Sequence, residues 1–405
     1  MTRKLLPLFF IIFIDSVGYF IVIPIMIRLF IQGDDSLLPL STSMTTRNLL
    51  YSLTLMLSPL GFIICSPIIG HLSDRYGRKK ALFFSLIAAC IGFLLPIIGI
   101  KTKTLSLIFL GRLIAGASSS SQPVAQAGVT DLTTDKVRAF YLGLIGFAMT
   151  LAMVLGPLSG SYLSDSTLVH WFDVSTPYFF ALSLSVINVI MLLVFYKDST
   201  QIKLENEWTT PDHYPTSFFI TLMKEKNIWV LMLVFFFMEI AWSQYYQAAF
   251  LTLTQHFHYT LNKMALFTAY VGLWMCLGLT VIYKILMKLF SLNTITRYSL
   301  LICAFSLALC TIQDTRVQWI MMIPASISIG VVYPSLLAIL SQRTPIDHQG
   351  YILGIASTLL GIAWMITGLL AGPLISVSFK LPNILSATAI TFAYLIILVG
   401  LRRSI

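Results

Sequence analysis

Three charged side chains lie deep inside long apolar stretches of this sequence. Of its 16 acidic residues, only Asp15 and Glu239 are placed well inside such stretches, and Arg112 is a base in a similar position. A charge in the middle of a bilayer costs about 2.5–3.5 kcal/mol on insertion scales, so it is rare there unless it has a role. A poorly solvated carboxyl group can load and release protons near neutral pH, or pair with a cation. The alternative for each acid is a structural hydrogen bond between helices.

Aromatic and polar residues accompany the two acids at helical spacing. Positions three or four apart share one face of a helix, which places Tyr19 beside Asp15 and a polar, aromatic face beside Glu239. Aromatic rings with a few polar groups suit an adaptable site for an amphipathic ligand, although helix packing alone would explain any one of them. The residues expected to line such a site are Tyr19, Ser119, Gln122, Gln126, Trp242, Ser243, Tyr246, Gln247 and Tyr333.

The composition requires lipid as the solvent for much of the chain. Of the 405 residues, 57% are hydrophobic and 10% are charged, against roughly 25% charged in a soluble domain. A span needs roughly 20 apolar residues, and only helices satisfy their own backbone groups in lipid, so the fold class is all-α integral membrane. We expect about twelve helices, at 5–31, 49–72, 81–99, 104–130, 138–164, 176–196, 228–255, 262–287, 295–313, 317–342, 351–374 and 383–401.

The basic residues predict how these helices are oriented. With the N-terminus in the cytoplasm, eighteen Lys and Arg residues lie on the cytoplasmic side, six lie outside, and Arg28 and Arg112 lie within spans. Cytoplasmic loops carry an excess of Lys and Arg, so both termini are expected in the cytoplasm, in a cell membrane such as the bacterial inner membrane. Arg28, near the outer end of its helix, is expected to extend to the interface.

The chain divides into two similar halves. A polar stretch follows the sixth expected span, which predicts an N-terminal six-helix bundle at 1–198, a cytoplasmic linker at 199–227 and a C-terminal six-helix bundle at 228–405. Several proline and glycine positions of the fourth and fifth spans recur in the tenth and eleventh, although chance would also produce some recurrence. Transporters with two related halves bind their substrate between them, near mid-membrane.

The loop after the second span carries the most specific motif in the chain. It places Gly70, Asp74, Arg75, Gly77 and Arg78 in a fixed order. The glycines permit close backbone approach and a tight turn, and the basic residues can hold helix ends and lipid phosphates. This loop resembles the signature loop of the major facilitator superfamily, and the resemblance gives it a role in conformational gating.

Two further motifs are similar to those of the same superfamily. The stretch Leu110–Gly116 resembles its buried-arginine motif, and Gly156, Pro157 and Gly160 resemble the antiporter motif of drug–proton exporters. Glycines at this spacing allow tight helix contact, and proline adds a bend or hinge. The start of the first span, around Asp15, resembles the drug–proton antiporter branch and its tetracycline and multidrug exporters in particular.

This resemblance implies a function as well as a fold. It implies a major facilitator fold of two pseudo-symmetric six-helix halves that works by alternating access, and proton-coupled export of a small amphipathic or cationic compound. Asp15 and Glu239 would couple protons to substrate, and Arg112 would tune a nearby acid and link helices. One departure is that the expected ninth span, 295–313, contains no acid, which argues against tetracycline itself as the substrate.

Other functions remain open from the sequence alone. Export or uptake of a specific metabolite, such as a siderophore or nutrient, would use the same fold, and a receptor or membrane enzyme is an alternative of another class. The six histidines are scattered, so we expect neither a catalytic cluster nor a metal site. The phosphate-binding motif of ATP-driven pumps is absent, so no cofactor beyond a proton gradient is implied. The expected partners are protons, a small-molecule substrate and the lipid bilayer, without nucleic acid, for a monomeric protein.

Overall fold

A computed structural model describes residues 2–32, 37–132, 135–196, 228–344 and 349–400, and these residues are almost entirely helical. The helices are α1 (Thr2–Phe30), α2 (Met44–Tyr76), α3 (Arg78–Lys101), α4 (Leu105–Ser118), α5 (Ser121–Leu132), α6 (Asp135–Tyr162), α7 (Thr176–Phe195), α8 (Ile228–Gln255), α9 (Leu261–Leu277), α10 (Tyr283–Leu289), α11 (Leu292–Leu309), α12 (Thr315–Arg343), α13 (Gln349–Val377) and α14 (Leu381–Gly400). A π-helical turn at Gly278–Ile282 joins α9 to α10.

Twelve crossings of the membrane result from these helices. In the described chain, eleven helical stretches are long and apolar enough to cross a membrane. One of these stretches consists of α9, the π-helical turn and α10 together. The twelfth crossing consists of α4 and α5, which are separated only by Ser119 and Ser120. The expected number of spans is confirmed, but the expectation of one continuous helix over 104–130 is wrong. The expected linker at 199–227 lies outside the described residues, so the division into domains stays a prediction.

We name each end of the helical bundle after one residue that lies there. The Arg47 end is where α1 ends and α2 begins, and the Asp74 end is where α2 ends and α3 begins. Because successive crossings alternate in direction, α1 begins and α14 ends at the Asp74 end.

The two halves are joined at the Arg47 end. There, α2 packs against α13: the Asn48 amide donates to Ser376 Oγ over 3.0 Å, and the Gly372 amide donates to Ser52 Oγ over 2.6 Å. On the other side of the bundle, α6 meets α9, where Ser161 Oγ donates to the Asn262 amide oxygen over 2.8 Å. These bonds close the space between the halves at this end.

Toward the Asp74 end the halves separate. A Cβ added at Gly70 on α2, or at Gly354 on α13, would have no atom of the described residues within 4 Å. The close backbone approach expected at Gly70 is therefore wrong for this conformation. The structure is closed at the Arg47 end and open at the Asp74 end.

The motif loop itself forms the turn that its glycine predicts. Gly77 has a φ of 94°, a conformation that side chains rarely adopt, and its amide donates to Ser73 O over 3.0 Å. Arg78 donates to Ser73 Oγ over 3.3 Å. Asp74 and Arg75 are exposed, and the Arg75 guanidinium lies 5.1 Å from the ring centre of Tyr76. The loop therefore presents an acid and a base at the open end.

Two arginines at the Arg47 end bind backbone carbonyls. Arg47 of α2 is buried and donates to Phe30 O over 2.9 Å and to Pro39 O over 2.8 Å. It therefore joins the start of α2 to the end of α1 and to Pro39 between them. Arg28 donates to Ser164 O, just beyond α6. Arg28 therefore reaches the loop at the outer end of its helix, in line with the expectation that it extends toward the interface, and it binds a carbonyl there.

Candidate functional site

Asp15 lies at mid-length of α1 and is only 5% exposed. The Ser121 hydroxyl donates to its Oδ2. Ser121 is the first residue of α5, immediately after the break in the fourth crossing. The break therefore has a local consequence: it begins a new helix with a hydroxyl directed at the acid of α1.

Glu239 lies on α8 and is equally buried, at 4% exposed. The indole Nε1 of Trp364, on α13, donates to Glu239 Oε2 over 3.1 Å. In the described chain this carboxylate therefore has a neutral donor as its hydrogen-bond partner.

A ladder of hydrogen bonds continues from Glu239 along the interface of α8 and α13. Gln247 Nε2 donates to Thr367 Oγ1 over 2.8 Å, Thr367 Oγ1 donates to Ser243 Oγ over 2.8 Å, and Ser243 Oγ donates to Glu239 O over 2.6 Å. The α8 face predicted from helical spacing therefore exists, and it faces α13. Its Ser243 hydroxyl and Gln247 amide nitrogen are used within the second half, whereas the Tyr246 hydroxyl and Gln247 Oε1 have no partner among the described residues.

Aromatic rings connect the two halves between the acids. Tyr19 and Phe20 of α1 lie 5.7 Å and 6.5 Å from Trp364, and Phe20 lies 5.6 Å from Tyr246, measured between ring centres. Tyr246 in turn lies 6.2 Å from Trp364. These four rings occupy the interface between the halves, where the sequence predicts a ligand site. In this conformation the rings fill that interface, and both carboxyl groups are almost excluded from solvent.

Arg112 lies beside this cluster rather than on an acid. Its guanidinium is 5.4 Å from the ring centre of Tyr19, and its Nε donates to Thr54 O over a long 3.5 Å. Its Nη2 is buried and has no hydrogen-bond partner among the described residues. The phenols of Tyr178, Tyr19 and Tyr51 are its electrostatic neighbours. Arg112 therefore contacts Tyr19, which lies one helical turn from Asp15 on α1.

The remaining candidate residues lie around this centre with varying burial. Trp242 is buried and stacks on Tyr245 at 6.5 Å, whereas Tyr333 is half-buried and has Glu239 as an electrostatic neighbour. Ser119, Gln122 and Gln126 are half-buried along the fourth crossing.

The glycines of the antiporter motif bring α6 against α1. A Cβ at Gly156 would lie 2.5 Å from Phe20 Cβ, and one at Gly160 would lie 2.9 Å from Pro24 Cγ. Pro157 lies inside α6 between them. The motif therefore supports Phe20, a ring of the aromatic cluster, which explains why small residues are needed at this spacing.

Sequence reasoning missed three residues at this centre, namely Ser121, Trp364 and Phe20. Ser121 ends a run of four serines, and nothing in that run gave a sign of a helix break. Trp364 and Phe20 lie in uniformly apolar stretches, where nothing separates a functional ring from a lipid-facing one. Among the described residues, no three His, Cys, Asp or Glu side chains come together as a metal site.

The comparison with protein families agrees with this architecture. The family model described as Major Facilitator Superfamily matches residues 8–368. The chain belongs to this superfamily. It is therefore a multi-pass membrane transporter, and the two-half bundle with buried charges between the halves is the superfamily's fold.

Several superfamily members resemble this chain in sequence or structure. The class C tetracycline resistance protein of Escherichia coli is 26% identical over 87% of this chain and 87% of its own. The class H protein of Pasteurella multocida is 26% identical over 59% of this chain and 56% of its own length. The crystal structure of the human organic anion transporter MFSD10 superposes with a TM-score of 0.72 at 17% identity, covering 98% of this chain and 99% of that one. That structure supports the fold alone.

Proposed function

We propose that this transporter exports a small amphipathic or cationic compound in exchange for protons. The observation that carries the proposal is the link from Glu239 through Trp364 to Tyr19, which joins a buried acid of one half to the other half. Asp15 supplies a second buried acid on the same helix as Tyr19. The resemblance to tetracycline resistance proteins supports export as the direction.

Proton binding at Glu239 would change how firmly the halves are held together. A hydrogen bond to a charged group contributes about 1.5–3 kcal/mol, against about 0.5–1.5 kcal/mol for a neutral pair. Protonation therefore weakens the bond that holds the Trp364 indole. Because this ring lies against Tyr19 and Phe20 of the other half, its release loosens the contact between the halves near mid-membrane.

The orientation of the protein completes the transport cycle. The excess of Lys and Arg at the Asp74 end favours a cytoplasmic location for that end and for both termini, in the bacterial inner membrane. In this orientation the open end of the structure faces the cytoplasm. A monomer that uses the proton gradient, without a cofactor or enzymatic step, is sufficient for this cycle.

The chemistry of the centre favours a ligand with aromatic surface and positive charge. Two carboxyl groups lie among rings, and an arginine lies beside one of those rings. Cations interact favourably with aromatic faces and with carboxylates. The ninth span has no acid, and its central part is α11, so tetracycline is a less suitable candidate than a lipophilic cation.

Transport by the purified protein in proteoliposomes tests this proposal. We expect an imposed pH gradient to drive ethidium movement, and Asp15→Asn and Glu239→Gln each to reduce the rate about tenfold, equivalent to about 1.4 kcal/mol. Both substitutions keep side-chain size, and a Lys101→Met variant at an exposed position serves as the matched control. Gradient-independent transport, or full activity in both variants, would contradict proton coupling by these acids. Gradient-driven movement of an acidic or neutral nutrient, but not of ethidium, would favour the metabolite transporter instead.

A further inference from the structure

A separate cavity lies at the Arg47 end, beside the hydrogen bonds that close the two halves. Its volume is about 480 Å³, which falls in the range of small-molecule sites. One wall comes from α2 of the first half, and the others come from the second half. The cavity is lined by Met44, Thr45, Asn48, Gln255, His256, Gln313 and the segment 375–380.

The charge of this cavity is positive. Among the described residues that line it, Lys380 and His256 are the titratable ones and none is acidic. The nearest acid in sequence is Asp314, whose Oδ1 accepts hydrogen bonds from the amides of Arg316 and Val317 at the start of α12. Lys380 has no ion-pair partner among the described residues, so its charge is available to an anion.

An aromatic surface lies beside these bases. The rings of His256 and Phe379 stack with their centres 5.1 Å apart and their planes 28° apart. Gln313, in a left-handed conformation with a φ of 60°, donates its amide to Phe379 O over 3.1 Å. This bond fixes the Phe379 segment, so the aromatic wall is held in place before any ligand arrives.

The cavity also includes the bonds that join the halves. Asn48 of α2 accepts from Gln255 Nε2 over 2.6 Å and donates to Ser376 Oγ over 3.0 Å, and all three residues line the cavity. An occupant would therefore contact both halves at once. It would do so only while the Arg47 end is closed, because opening that end separates α2 from α13.

We propose that this cavity binds an aromatic carboxylate and that binding stabilises the conformation closed at the Arg47 end. The carboxylate is recognised by Lys380 and His256, and the ring lies against Phe379. A ligand that binds one of two conformations shifts the population toward it. The ligand acts as an inhibitor from the Arg47 side, and its charge is opposite to that of the compounds suited to the acidic centre.

Direct binding tests the site without any need for transport, so its failure is distinct from failure of the proposed function. The probe is 2-naphthoate, titrated against the full-length protein in lipid nanodiscs, with 2-naphthamide as the uncharged control. We expect saturable naphthoate binding that weakens about tenfold in Lys380→Met and is unchanged in Lys101→Met, an exposed lysine of the other half. Equal binding of the amide, or naphthoate binding that Lys380→Met does not weaken, would overturn the proposal.

A distance measurement tests the conformational part. Spin labels at Leu168 and Ile312, two exposed residues of different halves at the Arg47 end, report whether that end is closed. We expect 2-naphthoate to increase the share of short distances in the parent protein and in Lys101→Met, with a several-fold higher concentration needed in Lys380→Met. A distance distribution that naphthoate leaves unchanged, or shifts toward longer distances, would overturn it.

Discussion

The two ends of α2 and α13 differ in how closely the helices approach. At the Arg47 end, Gly368 and Gly372 of α13 lie directly against the backbone of α2. At the Asp74 end, Gly70 and Gly354 have open space where a side chain would be. Both ends carry glycines, so glycine marks where the helices can meet, and the conformation decides at which end they do. A glycine without a neighbour in one conformation is a candidate for close contact in the other.

Hydrogen bonds reinforce the contrast between the ends. Neutral amides and hydroxyls join the halves at the Arg47 end, as in the Asn48–Ser376 and Ser161–Asn262 pairs. A typical hydrogen bond contributes only about 0.5–1.5 kcal/mol, so a few of them can break and re-form within a transport cycle. The closed end is therefore held firmly enough to seal and weakly enough to open.

The largest effect is expected from filling the contact at the closed end. A Cβ at Gly368 would lie 2.9 Å from Gln247 Oε1 and 3.1 Å from Met56 N, so Gly368→Val should force α13 away from α2. Overpacking of this kind costs about 1–3 kcal/mol. We expect the Leu168–Ile312 spin-label distances to lengthen in this variant. The control on the same helix is Gly354→Val, which has open space in this conformation and should not lengthen the distances; equal lengthening in the two variants would contradict the difference between the ends.

A smaller effect is expected midway between the ends. Trp364→Phe keeps an aromatic ring but loses the bond to Glu239, at a cost of about 1.5 kcal/mol or somewhat more for a charged acceptor. Gradient-driven transport should fall about tenfold, while the Leu168–Ile312 distances change little. Trp274→Phe is the matched control, since the Trp274 indole nitrogen has no hydrogen-bond partner among the described residues. If both variants retain full transport, Trp364 does not couple the halves.

The smallest effect is expected from Asp173, which accepts hydrogen bonds at the start of α7. Burial raises the pKa of Asp173, but bonds from Ser175 and Thr176 outweigh it and lower the pKa overall. Because the pKa of Asp173 is lower in the folded protein than in the unfolded chain, its carboxylate stabilises the fold at every pH above the unfolded-state pKa of about 3.9. This stabilisation is lost as the pH falls through the folded-state pKa. Asp173→Ala should therefore destabilise the protein by about 0.5 kcal/mol at pH 7.

Thermal unfolding at several pH values measures this contribution. The difference in melting temperature between the parent protein and Asp173→Ala should narrow as the pH falls below about 4. A difference that stays constant down to pH 3 would show that the carboxylate charge is not what stabilises the start of α7.

The sequence predicted the crossings and the buried acids because both depend on local composition. A span needs only apolar length, and Asp15 and Glu239 are conspicuous as charges within it. The turn at Gly77 was predicted for a similar reason, since it depends on one residue type. The partners of the acids were not predicted, because Ser121 and Trp364 reach them through helix pairing that no local pattern reveals. Which end is closed was not predictable either, since one sequence must support both conformations.

The break between α4 and α5 bears on where the end of the chain lies relative to the membrane. Neither piece is long enough to count as a crossing when helices are judged one at a time, and a tally of eleven would put the start of α1 and the end of α14 in different compartments. The break at Ser119 and Ser120 thus changes the crossing count by one when only helix length is used. The count in turn determines the side of the membrane on which a tag fused after Gly400 is expected. With the broken pair counted as one crossing, such a tag belongs in the same compartment as the first residue.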